Sequence, residues 1–170
     1  MLGRILIVAL LITAVVAGGA LYYLQVYAFY EEVAATGPED VQLTTPEGGL
    51  IALPHTEFRA IDADSSPIRY RACFLDASAA PLAPGAAVPY PAAEPLQGPR
   101  WFDCFDAGRI ATLLDEGRAT AYLSIKNVHY GVDRIVALDQ EGHGWVWHQL
   151  NNCGEIDKFG NPVGEACPPR

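Results

Sequence analysis

Between positions 5 and 30 no residue carries a charge, and only Thr13 and Gln25 interrupt the apolar run before its aromatic end. A bilayer core about 30 Å thick takes roughly 20 helical residues, so residues 5–24 are long enough to cross it. Tyr22, Tyr23, Tyr27, Phe29 and Tyr30 crowd the far end, where amphipathic rings settle at headgroup level. The pattern predicts a transmembrane anchor over residues 1–30. Residues 31–40 turn polar around Gly37-Pro38 and read as a short tether. A domain of 41–170 follows.

Inside that domain the periodicity changes. Residues 41–44 and 50–53 are β-prone runs separated by Pro46-Glu47-Gly48-Gly49, a hairpin signal. Residues 67–74 alternate, with Ile68, Tyr70, Ala72 and Phe74 predicted on a core face and Arg69, Arg71 and Cys73 on the opposite one. Residues 76–99 hold six prolines and eight alanines, which excludes a regular helix or central strand and predicts an extended surface excursion. Asp106 reads as a helix cap ahead of Ile110, Leu113 and Leu114, and Gly117 as the stop. Residues 119–125, 130–138 and 144–150 read as strands, the last two joined by a turn at Asp139-Gln140-Glu141-Gly142. The Gly-, Pro- and Asn-rich tail needs a cross-link to stay ordered. The expected fold class is α+β: an N-terminal transmembrane helix, then a mainly antiparallel sheet domain with one short helix.

The rival reading of the apolar run is a cleaved secretory signal, with Arg4 as n-region and Ala17-Gly18-Gly19-Ala20 as cleavage site. The apolar stretch continues through residues 21–30, so an uncleaved anchor is the expectation. No Asp, Glu, Lys, Arg or His lies within it, which argues against ion or proton conduction. Arg4 on the near side and Glu31, Glu32, Glu39 and Asp40 on the far side orient the N-terminus to the cytoplasm. That places the domain in the periplasm, on the outer face of an inner membrane.

All 20 acidic residues and all but one of the basic residues lie beyond the anchor. So acidic a domain repels nucleic acid, which is excluded as a partner. The four cysteines, Cys73, Cys104, Cys153 and Cys167, also lie there, with no C-x-x-C pair to suggest zinc or a thioredoxin-like site. They predict two structural disulfides and an oxidising compartment. Of the three possible pairings the sequential one is preferred, because Cys73 and Cys104 bracket the proline-rich excursion.

Asp62, Asp64, Arg69 and Arg71 form the densest polar stretch. Asp62 and Asp64 suit a hard cation, but the remaining positions of a calcium loop are missing, and turn formation explains Asp64, Ser65 and Ser66. Arg69 and Arg71 suit a carboxylate or phosphate, or pairing with the domain's own acids. His143 and His148, five apart on a strand, lie on opposite faces and do not share a metal, while Trp145 and Trp147 share one face and pack there. No nucleophile elbow, phosphate loop or H-E-x-x-H occurs. No catalytic, cofactor-binding or metal-binding residue is assigned, and no cofactor is expected.

The segments Tyr22–Tyr30 and 61–74, with Trp101-Phe102-Asp103-Cys104-Phe105, Tyr130-Gly131-Val132-Asp133-Arg134 and Val146-Trp147-His148-Gln149, resemble an uncharacterised alphaproteobacterial family of short, single-pass membrane-anchored proteins. Members sometimes carry a histidine-kinase label, which this sequence does not support, since it has no nucleotide-binding boxes. The resemblance implies no activity. The expectation is a non-catalytic binding or accessory domain for an envelope component, with the membrane and an envelope protein as partners. The alternative is an envelope hydrolase using an acid or histidine cluster around Asp62, Asp64, Asp133 or His148.

Overall fold

The computed structural model describes residues 2–78 and 82–169. Its first helix, α1, covers Leu2–Tyr23. A π-helical turn, Leu24–Ala28, widens its last turn. Together they are long and apolar enough to cross a membrane, and none of their residues is buried. Beyond them come β1 (Glu31–Val33), β2 (Gln42–Thr44), β3 (Leu50–Ala52), β4 (His55–Asp62) and β5 (Arg71–Asp76), then α2 (Ala107–Asp115), β6 (Ala119–His129), β7 (Val132–Asp139) and β8 (His143–Leu150). The α+β, mainly antiparallel architecture with one short helix in the domain is as the sequence predicts.

The main sheet has six strands in the order β1-β4-β5-β8-β7-β6, all antiparallel. Two elements have little sequence signal. β1 lies within the polar stretch 31–40, so the tether contributes an edge strand, whose two glutamates discourage further edge pairing. β4 lacks clean alternation because a bulge at Glu57, with φ of 52°, shifts its register between Thr56 and Arg59. The predicted 67–74 strand starts later, at Arg71, because Arg69 N–H donates to Ser66 O in a turn.

Both sheet faces are covered. On one, Ile61, Cys73, Trp145, Trp147 and Ile135 pack against Ile110 and Leu113 of α2 and against Phe102 and Phe105. On the other, Ala60, Ala72, Phe74, Val136 and Val146 pack against Val41, Leu43 and Leu53 of the β2–β3 hairpin. Arg71 and Cys73 do lie opposite the predicted core face, but that side carries a core of its own and Arg71 is buried. Asp106 accepts from Arg109 N to cap α2. Its far end closes as Arg118 N–H donates to Leu113 O and Gly117 N–H to Leu114 O, with Gly117 at φ of 67°. Directly opposite Phe74 in the ladder stands Gly144, where a Cβ would fall 2.1 Å from the Phe74 ring. Glycine there lets the ring lie across the strand.

The proline-rich segment is a strap rather than a free excursion. Tyr90 N–H donates to Ala121 O and Val88 O accepts from Leu123 N–H, with Pro89 bridged to Tyr122 along the outer edge of β6. Residues 79–81 lie outside the described residues. The disulfides are Cys73–Cys104 and Cys153–Cys167, the sequential pairing.

The domain also grips the end of the apolar helix. Trp101 Nε1 donates to Val26 O at 2.7 Å, stacks on Tyr27 and meets Tyr30 edge-on. Arg69 lies over the Tyr30 ring.

Candidate functional site

The most connected polar centre is built on a defect in β6. Register shifts on both sides of Ile125, and Asn127 takes a φ of 50°, turning its N–H toward β7. There it donates to Asp133 Oδ1 at 2.9 Å. Asn151 Nδ2, just past β8, donates to the same oxygen at 2.7 Å. Asp133 Oδ2 accepts from Lys126 Nζ at 3.1 Å and from Tyr90 OH at 3.2 Å. Asp133 is fully buried, so four donors replace the water that its carboxylate loses.

Lys126 bridges outward to Glu165 Oε2 at 2.8 Å. Partial burial opposes its charge, but the hydrogen bonds to Glu165 and Asp133 hold its pKa above the ordinary lysine value. Burial first, then Asp133, pushes the Tyr90 hydroxyl up to about 12, so it stays a neutral donor. Gln149 ties the strap to β8, accepting from Glu94 N–H and donating to Ala92 O. These contacts line one side of an open cleft of about 520 Å³ between the strap, the ends of β6 and β8, and the C-terminal loop. Glu94, Glu155, Glu165 and Lys126 line it, and Pro89, Tyr90 and Pro91 form its apolar wall.

The other residues singled out from sequence do not join this centre. His148 is buried, donates from Nδ1 to Pro67 O at 2.8 Å, accepts at Nε2 from Arg134 Nε at 3.0 Å, and stacks on Tyr70. Burial lowers its pKa to about 4, aided by Arg134, His129 and Arg71. Both ring nitrogens are committed. Arg71 donates to the carbonyls of Ile68, Tyr70, Leu96 and Gln97, so it holds backbone rather than a ligand or an acid. Burial lowers its pKa to about 10.

Asp62 and Asp64 line a separate, smaller cleft with Glu31 and Glu32 just past the apolar helix, and no histidine lines it. Asp62 Oδ1 accepts from Ala63 N–H. Of the six candidates, Asp62 and Asp64 share this cleft, Arg71 lies within electrostatic reach of Asp62, Arg69 and His148, and Asp133 stands in the separate centre between β6 and β7. Trp145 and Trp147 share the α2-side core, as expected, and Trp145 Nε1 donates to Cys104 O. At the β7–β8 turn Asp139, Glu141 and His143 bring ligand-type atoms within 4.8 Å of one another. Asp139 Oδ1 is already occupied by the Glu141 and His143 amides.

Of the central cluster, sequence reading reaches only Asp133. Tyr90, Lys126, Asn127, Asn151 and Glu165 are scattered along the chain, and the bulge that gathers them has no short motif.

The model of a family of unknown function (DUF6446) matches residues 41–168, and the chain belongs to that family. No curated protein and no solved structure matches the chain.

Proposed function

We propose that this member of DUF6446 is a single-pass, inner-membrane-anchored periplasmic protein whose domain of residues 41–170 binds an envelope component without doing chemistry itself. Supporting the location are the uncharged run of residues 5–30, with Arg4 in the first turn of α1 ahead of it, and the two disulfides, which persist in oxidising compartments. The observation that carries the binding role is the acid-lined cleft beside Asp133. Its three glutamates against one lysine favour a cationic segment, and its Pro-Tyr-Pro wall offers apolar contact.

The hydrolase alternative needs a free acid or base. Asp133 is saturated by four donors and both His148 nitrogens are bonded, while Asp62 and Asp64 sit in another cleft. Full-length protein purified from detergent-solubilised native membranes should bring down one component reproducibly. Charge reversal of Glu94→Lys together with Glu155→Lys should abolish that co-purification. Retention of the component by the double variant would remove the cleft from the account, and a clean monomer would remove the binding role.

A further inference from the structure

The sheet has two ends, and the anchor enters at one of them. Glu31 follows the helix exit and pairs with Asp62 at the finish of β4, and β5 begins nearby at Arg71, which pairs with Trp147 of β8. β8 then runs on to Leu150, three residues or roughly 10 Å further in the same direction. Asn151 N–H pairs with Gly131 O at the β6–β7 turn. The chain therefore leaves the sheet at its anchor-side end. From β1 to β8 is three strand steps, roughly 14 Å.

What leaves there is a cross-linked finger. Cys153–Cys167 closes it, Ile156 bridges Pro162, and Gly154 N–H donates to Glu165 O. At its tip Asp157 accepts from the N–H groups of Phe159 and Asn161. This ordered tip turns apolar side chains outward: Phe159 is 78 % exposed, Ile156 63 % and Val163 57 %, with Leu150 at the base 63 %. Lys158 lies over the Phe159 ring. Single exposed apolar residues are ordinary, but four on one cross-linked loop and its base need a cover.

We propose that this cover is the lipid surface: the finger 153–167 seats Phe159, flanked by Ile156 and Val163, in the interfacial zone of the bilayer that α1 spans. The proposal rests on the anchored reading above. The hydrogen bond from Trp101 to Val26 O and the Tyr27 and Tyr30 ring contacts clamp the domain to the helix exit. An aromatic tip beside a lysine suits the headgroup boundary, where rings partition and an ammonium meets phosphate. Glu155, Asp157 and Glu165 on the same loop favour a zwitterionic over an anionic surface. The finger gives the domain a second footing, so that its cleft keeps a constant height and tilt above the membrane.

The test places a photoreactive benzophenone amino acid at position 159 of the full-length protein in phosphatidylcholine liposomes. A control carries it at position 140, in the β7–β8 turn at the opposite end of the sheet. Lipid adducts on the 153–167 peptide, and none at 140, are expected. Wild-type protein supplies a second reading: trypsin should fail to cut after Lys158 in outward-facing proteoliposomes. No adduct at 159 in carbonate-resistant proteoliposomes, ready cleavage after Lys158, or cross-links from 159 to another protein chain would each overturn the lipid footing alone. Release of the protein by carbonate would overturn the anchor, and the footing with it.

Discussion

His148 gives the account a quantitative handle. Its ring is 1 % exposed, stacks on Tyr70, accepts from Arg134, and is neutral, with a folded-state pKa of about 4. In the unfolded chain an ordinary histidine titrates near 6.5. As pH falls below that value the unfolded state takes up a proton that the folded state refuses, so folding stability drops. The loss is complete once pH passes the folded value, and the gap is worth about 3 kcal/mol. Asp40, Asp103 and Asp157, held low by hydrogen bonds, lose their contribution only as pH falls through the ordinary carboxylate range, so they add slope at the acid end, below about pH 5, and equally in both proteins.

The assay is urea unfolding of the full-length, disulfide-intact protein in mild detergent, followed by fluorescence of the buried Trp145 and Trp147, at steps from pH 7.5 to 4.5. His148→Gln removes the titration while leaving polar atoms for its partners, and should be less stable at pH 7.5 but flatter toward acid. Equal slopes for the two proteins would refute the reasoning, because the acid sensitivity would then arise elsewhere.

Three further perturbations follow from the same packing. Asp133→Ala leaves the donors of Lys126, Asn127, Asn151 and Tyr90 facing a void, and should cost about 3–5 kcal/mol in the same urea assay. Gly144→Ala drives a methyl into Phe74 and should cost about 1–3 kcal/mol, with Phe74→Leu in the same chain recovering part of it. Trp101→Phe keeps a ring on Tyr27 but loses the bond to Val26 O. It should change domain stability by about 1 kcal/mol or less while hydrogen exchange of residues 24–30 speeds up.

Much of the fold is legible because local rules act strongly there. An uncharged run sets α1, a cap and a left-handed glycine bound α2, and a Pro-Glu-Gly-Gly turn sets the β2–β3 hairpin. Three well-spaced apolar runs give β6, β7 and β8. What stays hidden is non-local. The period of two shows that Arg71 and Cys73 share a face, but not that α2 covers it. β4 is masked by its own bulge, and β1 is three residues whose strand character comes only from pairing with β4. The polar centre is hidden for the same reason. Asp133 is a plain strand residue until the β6 bulge, the strap and the C-terminal loop converge on it from three directions.

The central claim is an uncleaved anchor holding a disulfide-stapled domain outside the cytoplasm. Intact-mass measurement of the protein from carbonate-washed membranes, taken without reduction after exposure to an alkylating reagent, tests it most directly. The account predicts one species retaining residues 1–30, with Cys73, Cys104, Cys153 and Cys167 all unalkylated. A soluble species starting after the apolar run, or alkylation of any of the four cysteines, would contradict it.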